Sequence, residues 1–235
     1  MLNSFMKTFV IGDIHGAYTA LVQCLERSGF DYKQDRLIVL GDVCDGYPEV
    51  KQCIDELLKI EHCDYIIGNH DVWVLDWALL VGWQESLWLD QGGRSTIASY
   101  GGKPMPKEHV QFLKDAHLWL ELEDKVFVHA GFNPQKPIST HDRMDLVWDR
   151  TLIEQAYRMN RFHPGHQFSQ FKEIYLGHTT TENFGSVKPL KLCNVWALDT
   201  GAGWSGCLTI MDVNTKQYWQ SDFTPQLYPN ANSRG

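Results

Sequence analysis

Five short segments of this sequence combine glycine with side chains that can bind a metal ion or transfer a proton. They lie at residues 12–16 (Gly-Asp-Ile-His-Gly), 41–46 (Gly-Asp-Val-Cys-Asp-Gly), 68–71 (Gly-Asn-His-Asp), 129–131 (His-Ala-Gly) and 177–179 (Gly-His-Thr). Carboxylate, amide and imidazole groups suit borderline or hard divalent metals such as manganese, iron and zinc. The candidate ligands in these segments are Asp13, His15, Asp42, Asn69, His129 and His178.

Six candidate ligands are more than one metal ion with an open coordination position needs. They fit two metal ions that share a bridging carboxylate and lie about 3.5–4 Å apart, as in two-metal phosphoesterases. No thiolate belongs to the set, which argues against a cysteine-rich structural zinc site. The pattern therefore predicts a centre of two metal ions of the kind found in such enzymes.

Each segment has a simpler explanation when it is taken alone. An acidic residue that precedes a helical pattern, as Asp13 does, is also a common helix N-cap. A histidine at the end of a strand is more often a hydrogen-bonded structural residue than a metal ligand. The combination favours the metal centre, because all five segments come at the end of a predicted strand.

Short apolar runs and helical patterns alternate in the first part of the chain. The predicted strands cover 8–11, 36–40 and 64–67, and the predicted helices cover 17–28, 49–60 and 72–81. This alternation is typical of a parallel sheet with helices on its faces. In such a sheet the carboxyl ends of the strands meet at one edge, and that edge binds ligands.

The second part of the chain has strands joined by short turns, which indicates antiparallel pairing and a second, mixed sheet. After a predicted helix over 107–117, the predicted strands cover 119–122, 126–129, 173–176, 195–198, 208–213 and 217–220. We expect substrate selectivity to lie in loops over 83–106 and 133–171, which include a polar, histidine-rich stretch at 160–171. The residues at 225–235 are predicted to form a surface tail.

The composition limits the possible classes of function. The chain of 235 residues has 21 Lys and Arg against 29 Asp and Glu, and its formal charge of −8 argues against non-specific nucleic-acid binding. We expect no signal peptide and no membrane span. The six cysteines form no Cys-x-x-Cys pair, so we expect free thiols and a cytoplasmic protein.

The motif series resembles the signature series of the calcineurin-like metallophosphoesterases. Within that superfamily it most resembles the bacterial and phage serine/threonine protein phosphatases of the phosphoprotein-phosphatase type. The motifs span residues 12–179, and Asp199-Thr-Gly is similar to a late strand of these enzymes. The resemblance implies an α/β fold, a four-layer α/β/β/α sandwich of two mixed sheets. It also implies a single catalytic domain over residues 1–235.

The resemblance assigns a role to each motif residue. The first metal ion would be held by Asp13, His15 and Asp42, and the second by the bridging Asp42 with Asn69, His129 and His178. His70 would be the general acid, and Asp45 would orient it. Arg150 would bind the substrate phosphate, with Asn69 beside it. We expect two divalent metal ions as cofactors, with manganese favoured over iron or zinc.

One residue departs from the family pattern. The family usually has an arginine directly after the carboxylate that matches Asp45, and here that residue is Gly46. An arginine there would bind phosphate oxygens with two parallel hydrogen bonds. Arg94 or Arg143 could compensate, although each of them, Arg143 especially, could equally be a solvated surface charge.

These observations predict a metal-dependent phosphatase that hydrolyses phosphomonoesters by attack of a hydroxide bound to two metal ions. Its partners would be phosphorylated proteins, through phosphoserine or phosphothreonine, or phosphorylated small molecules, and the oligomeric state stays open. The alternatives are a symmetrical dinucleoside tetraphosphate hydrolase or another nucleotide phosphoesterase. A phosphate-binding regulatory protein without turnover is disfavoured, because all six ligands and His70 are present.

Four tryptophans follow the third motif closely, at positions 73, 77, 83 and 88. Trp73 and Trp77 lie one helical turn apart, which favours packing of an amphipathic helix in the core. The alternative is an aromatic wall beside the metal ions, which would stack a nucleobase or a peptide side chain.

Overall fold

The computed structural model describes residues 6–80 and 86–231, and within these ranges the strands form two five-stranded mixed sheets. From edge to edge, the first sheet contains β10 (Tyr218–Gln220), β9 (Thr209–Asp212), β1 (Thr8–Ile11), β2 (Arg36–Val39) and β3 (His62–Tyr65). The second contains β4 (Trp119–Leu122), β5 (Lys125–Val128), β6 (Glu173–Leu176), β8 (Val195–Ala197) and β7 (Leu190–Leu192).

Each sheet has three parallel strands in its body and antiparallel strands beside them. In the first sheet Thr8 lies opposite Arg36, and Arg36 lies opposite His62, so that β1, β2 and β3 run parallel. The strands β9 and β10 are antiparallel. In the second sheet β5, β6 and β8 run parallel, and β4 and β7 are antiparallel. The parallel strands of each sheet therefore end at the same edge.

The helices of the described chain flank these sheets. They are α1 (Tyr18–Ser28), α2 (Val50–Leu57), α3 (Asn69–Leu79), α4 (Ser86–Trp88), α5 (Arg94–Ser99), α6 (Lys107–Lys114), α7 (Arg143–Trp148), α8 (Thr151–Asn160) and α9 (Thr224–Leu227). A π-helical turn, Leu89–Gly93, joins α4 to α5. None of the helices in the described ranges is long and apolar enough to cross a membrane.

Three apolar layers separate four layers of secondary structure. Along β1 the side chains alternate, as the pleat requires: Phe9 and Ile11 pack towards the helices, and Val10 packs between the sheets. The inner layer joins both sheets and includes Phe127 stacked on Tyr175, with ring centroids 4.7 Å apart. A third layer packs α8 on the outer face of the second sheet. The predicted four-layer α/β/β/α sandwich is confirmed.

The predicted strands 8–11, 119–122 and 173–176 are confirmed residue for residue. The third predicted strand, 64–67, lies two residues too late, because the chain pairs with β2 over His62–Tyr65. The third predicted helix, 72–81, begins earlier, at Asn69. That start places Asn69 and His70 in the first turn of α3, where their side chains are fixed by helical geometry.

The segments predicted to be loops contain helices. α4 and α5 lie within 83–106, and α7 and α8 lie within 133–171, so these loop predictions were wrong. α7 is too short to show helical periodicity in the sequence, yet Asp142 caps it by accepting a hydrogen bond from the backbone N–H of Asp145 at 2.8 Å. The helices form because tertiary packing buries one face of each.

The last part of the chain lies against the first sheet's helices as far as residue 231. In the predicted tail, the Tyr228 hydroxyl accepts a hydrogen bond from the Thr19 N–H and donates one to the Glu49 carboxylate. Its ring stacks on Tyr47, with centroids 4.6 Å apart. Trp83 and residues 232–235 lie outside the described residues.

Candidate functional site

The predicted ligands converge at one edge of the two sheets, where the parallel strands end. Asp13 and His15 follow β1, Asp42 follows β2, Asn69 begins α3, His129 follows β5 and His178 follows β6. His178 is half-buried, and the other five are at most 3% exposed. The sequence therefore predicted correctly that residues up to 165 positions apart, such as Asp13 and His178, would meet.

Two groups of potential metal ligands share one carboxylate. His15, Asp42 and His70 offer ligand atoms within 4.8 Å of one another, and so do Asp42, His129 and His178. Asp42 belongs to both groups. A carboxylate common to two ligand groups is the arrangement that a bridged pair of metal ions requires.

Backbone carbonyls fix the orientation of two of the imidazoles. The Nδ1–H of His15 donates to the carbonyl oxygen of Cys44 at 3.1 Å, and that of His129 donates to the carbonyl of Leu40 at 2.6 Å. We assign the proton to Nδ1 in both rings because a carbonyl can only accept. Each Nε2 then carries a lone pair, the orientation that metal-binding histidines usually have.

The lone pair of the His129 Nε2 faces two oxygen acceptors. The Nε2 of His129 is 3.1 Å from the Asn69 Oδ1 and 3.5 Å from the Asp42 Oδ2. Complete burial lowers the pKa of His129 to about 4, so the ring is neutral at neutral pH. Facing lone pairs repel one another unless a cation lies among them. The donor set therefore fits a divalent metal ion.

Asp13 ties the two sheets together at this edge. Both of its carboxylate oxygens accept hydrogen bonds from the backbone N–H of His178, at 3.1 and 3.0 Å. The ligand group around His15 and Asp42 contains His70 in the place predicted for Asp13. The role of Asp13 as a ligand of the first metal ion stays a prediction.

Asp71 is an organising residue to which the sequence analysis gave no role. Its buried carboxylate accepts hydrogen bonds from the backbone N–H of Asp42 at 2.8 Å, of Gly68 at 2.9 Å and of Cys44 at 3.2 Å. The Tyr65 hydroxyl donates to it at 2.7 Å. Asp71 thus holds the loop after β2 against the start of α3. Its position in the first turn of a helix that follows glycine was the available sequence signal.

Gly68 allows Asp42 to approach the start of α3. A Cβ atom at this position would lie 2.0 Å from the Asp42 Oδ1, which no real side chain permits. The same carboxylate oxygen accepts a hydrogen bond from the backbone N–H of His70 at 3.0 Å. The glycine of the third motif is therefore needed for space beside the shared carboxylate.

His70 and Asp45 form a hydrogen-bonded pair next to the ligands. The Nδ1 of His70 is 2.8 Å from the Asp45 Oδ2, and both residues are buried. This bond leaves Nε2 of His70 as the ring nitrogen available to a substrate. The geometry suits the roles predicted for the two residues, a proton donor and the carboxylate that orients it.

A cavity of about 490 Å³ opens over these residues. Its described lining contains one cationic side chain of the Lys and Arg type, Arg150, whose Nε donates to the Nε2 of His178 at 3.2 Å. The lining also contains the carboxylate of Glu182. Arg150 therefore lies in the cavity beside a predicted ligand, and its binding of the substrate phosphate stays a prediction.

The two arginines considered as substitutes lie elsewhere. Arg94 has a side chain that is 65% exposed and forms an ion pair with Asp90 at 3.2 Å. Neither Arg94 nor the exposed Arg143 is among the described residues that line the cavity. Arg94 begins α5 and points to solvent, because the buried face of this short helix is occupied by Thr96.

The tryptophans divide between the two predicted roles. Trp77 and Trp88 are buried and pack on each other, with ring centroids 5.6 Å apart, as core packing predicts. Trp73 lines the cavity together with Trp148, and their centroids are 5.3 Å apart. Trp204, which is 43% exposed, also lines it. The cavity therefore has an aromatic wall, but only Trp73 was among the residues considered for one.

Cys44 has no nucleophilic character despite its position between Asp42 and Asp45. The thiol is fully buried, and burial raises its pKa well above the usual value, with the carboxylates of Asp71 and Asp45 raising it further. The thiol is therefore neutral. All six cysteines of the sequence are free.

The chain matches the model of the calcineurin-like phosphoesterase family over residues 6–189. It is 28% identical to serine/threonine-protein phosphatase 1 of Salmonella typhimurium over 89% of this chain and 93% of the relative. It is 23% identical to the symmetrical bis(5'-nucleosyl)-tetraphosphatase of Pasteurella multocida, over 91% and 96%.

Solved structures show the same fold. A cold-active protein-tyrosine phosphatase of a psychrophilic Shewanella species aligns with a TM-score of 0.60 and 16% identity. The alignment covers 93% of this chain and 81% of that chain. At this identity the likeness concerns the fold alone.

Proposed function

The chain belongs to the calcineurin-like phosphoesterase family, as its motifs predicted, and is a metal-dependent phosphoric ester hydrolase. From this premise we propose that its substrates are phosphomonoesters, with phosphoserine and phosphothreonine in proteins as the substrate class. We further propose that residues 1–235 form one catalytic domain that works in the cytoplasm, where free thiols such as those of its six cysteines are stable.

The charge of the cavity is the observation that carries this proposal. Arg150 is its one lining Lys or Arg in the described part of the chain, and Glu182 adds a negative charge. One arginine with the metal ions can neutralise a single phosphate. A dinucleoside tetraphosphate, which carries a negative charge on every phosphate, would need more cationic side chains along its chain of phosphates.

Two divalent metal ions would be held by Asp13, His15, Asp42, Asn69, His129 and His178, with Asp42 shared. When bound, they would supply Lewis-acid activation of water and of the phosphate. Manganese suits the mixed carboxylate, amide and imidazole ligands, and iron and zinc are the alternatives.

The chain's own residues would do the remaining work. Arg150 lies in the cavity beside His178, where its guanidinium can bind two phosphate oxygens. His70 would donate the proton of Nε2 to the oxygen that leaves phosphorus, because its Nδ1 is bound to Asp45. The aromatic wall, Trp73 with Trp148, would exclude water from one side.

A second candidate is hydrolysis of dinucleoside tetraphosphates. The aromatic wall favours it, because indole rings stack well on nucleobases. The relative from Pasteurella multocida carries that activity in its name. The two candidates share the metal centre and His70, and they differ in what must occupy the cavity beyond the reacting phosphate.

A substrate comparison in the presence of manganese tests the proposal. We expect turnover of p-nitrophenyl phosphate and of a phosphoserine or phosphothreonine peptide, with lower kcat/KM for bis(p-nitrophenyl) phosphate and for diadenosine tetraphosphate. A higher kcat/KM for the dinucleotide would favour the second candidate.

Chelation provides the control for the metal requirement. A chelator should abolish turnover of every substrate in the comparison, and manganese should restore it. Binding of phosphate without any turnover in manganese, iron or zinc would contradict both candidates and support a regulatory phosphate-binding protein.

A further inference from the structure

Asp45 is held in an unusual conformation by residues outside the motifs. Its backbone has φ = 66°, in the left-handed region, and its side chain is fully buried. Besides His70, two donors reach its carboxylate. The indole Nε1–H of Trp88 lies 3.0 and 2.9 Å from the two carboxylate oxygens, and the Thr96 hydroxyl donates to Oδ1 at 2.6 Å.

Thr96 also supports the backbone of Asp45. The N–H of Asp45 donates to the same hydroxyl, at 2.9 Å. One threonine therefore binds both the backbone N–H and the side-chain carboxylate of Asp45. Trp88 and Thr96 are themselves completely buried. A donor that cannot move fixes the carboxylate it binds, and among the described residues this carboxylate has two such donors besides His70.

Both donors come from the segment formed by α4, the π-helical turn and α5, which contains none of the predicted metal ligands. Its Gly92, with φ = 103°, packs directly on Gly46. A Cβ atom at Gly92 would lie 2.5 Å from the backbone nitrogen of Gly46. The segment therefore covers the position where the family usually has its phosphate-binding arginine, and it brings Trp88 and Thr96 to Asp45.

We infer that Trp88 and Thr96 are positioning residues for the general acid. They hold the Asp45 carboxylate in the one orientation in which it binds the Nδ1 of His70 and directs Nε2 into the cavity. Protonation of a leaving oxygen depends steeply on this orientation. The inference rests on the proposed general-acid role of His70.

Two pairs of variants separate positioning from packing. Trp88→Phe removes the indole donor, and Trp77→Phe is its control, because Trp77 packs on Trp88 and is equally a buried tryptophan of this cluster. Thr96→Val removes the hydroxyl at nearly constant volume, and Thr96→Ser restores it.

The measurement is kcat with saturating manganese on two substrates that differ in their leaving group. The phenolate that leaves phenyl phosphate is a stronger base than p-nitrophenolate and needs protonation more. We expect Trp88→Phe and Thr96→Val to lower kcat about tenfold on phenyl phosphate. Removal of a hydrogen-bond partner that orients a functional side chain typically lowers activity about ten- to a hundredfold, and the expected loss is at the lower end of that range. On p-nitrophenyl phosphate the loss should be at most about threefold, since general acid catalysis matters less there.

The controls should behave differently. Trp77→Phe should change kcat for both substrates by the same small factor, and Thr96→Ser should restore the kcat of the unmodified protein on both. Equal losses on the two substrates, or the same selective loss in Trp77→Phe, would overturn the inference. If Trp88→Phe does not fold, the comparison of Thr96→Val with Thr96→Ser decides.

His70→Asn distinguishes this inference from the proposed function. This variant should also lower kcat more on phenyl phosphate than on p-nitrophenyl phosphate, and the difference should be larger than in Trp88→Phe or Thr96→Val. If it shows no such difference, His70 is not the general acid and the positioning role fails with it, whereas the substrate class still rests on the substrate comparison above. If His70→Asn is selective while Trp88→Phe and Thr96→Val are not, only the positioning role is wrong.

Discussion

The edge that carries the predicted ligands and the rim of the cavity above it are built differently. At the edge, side chains are at most 3% exposed for five of the six ligands and are held by backbone groups. At the rim, Trp148 is 36% exposed and Trp204 is 43% exposed. The edge comes from the loops that follow β1, β2, β5 and β6 and from the start of α3. Much of the rim is formed by residues that lie outside the five sequence motifs.

This difference suggests a division of roles, in which the buried edge would carry out the chemistry and the exposed rim would determine which substrate is preferred. A metal centre tolerates little displacement, and the predicted ligands lie at strand ends that the sheet fixes. Substrate contacts made by the rim could vary without harm to the centre, because the rim residues lie on short helices and loops packed around it. We therefore expect variants at the edge to affect all substrates, and variants at the rim to change which substrate is preferred.

Asp42→Asn should have the largest effect. Asp42 belongs to both ligand groups, so its loss should weaken both predicted metal positions. We expect kcat/KM to fall more than about a thousandfold on every substrate, because bound metal ions would provide both the nucleophile and charge stabilisation. Metal content measured on the purified protein should fall in parallel. Full metal content together with full activity would show that Asp42 is not the shared ligand.

Asp71→Asn tests whether the network behind the ligands matters as much as we infer. An asparagine would place an N–H₂ donor against backbone N–H groups that now donate to the carboxylate. We expect manganese affinity to fall about ten- to a hundredfold, and excess manganese to restore most of the activity. Titration of activity with manganese measures this.

Tyr65→Phe is the milder partner of that variant, because it removes one of the hydrogen bonds to Asp71 together with the one that the Val43 N–H donates to the Tyr65 hydroxyl. Its manganese affinity should lie between those of the unmodified protein and Asp71→Asn. An activity loss in Asp71→Asn that no manganese concentration recovers, in a protein that is still folded, would contradict the account of Asp71 as a support for the ligands.

Arg150→Ala should affect phosphate binding and leave the metal content unchanged. A hydrogen bond to a charged group contributes about 1.5–3 kcal/mol, which corresponds to roughly ten- to a hundredfold in kcat/KM. The matched control is Arg94→Ala, because Arg94 is exposed and paired with Asp90. A comparable loss in the control would show that Arg94 contributes to the site from outside the cavity.

Trp148→Ala should have the smallest effect and should act on selectivity. Trp148 packs edge-on against Trp73, and such aromatic contacts contribute about 0.5–1.5 kcal/mol. We expect the ratio of kcat/KM for diadenosine tetraphosphate to that for a phosphopeptide to change about two- to tenfold, with metal content unchanged. Phe162→Ala, at an aromatic residue that is 73% exposed and outside the cavity lining, should leave the ratio as it was. An unchanged ratio in Trp148→Ala would show that the aromatic wall does not contribute to substrate preference.

The sequence by itself determined the edge at which the predicted ligands meet. Apolar runs such as 8–11 predict strands because they report on burial within a few residues, and a glycine with a polar side chain directly after each run marks where that strand ends. Since parallel strands share a carboxyl edge, a local pattern was enough to bring distant residues such as Asp13 and His178 together.

Only the tertiary structure decided what surrounds that edge. The hydrogen bonds from Trp88 and Thr96 to Asp45 join residues that are 43 and 51 positions apart in the sequence, and no local sequence pattern predicts them. The same holds for the Arg94 side chain, which could have turned to the cavity but points to solvent. Strand ends are positioned by backbone hydrogen bonds that repeat along a sheet, whereas these side chains are positioned by the packing of one segment on another.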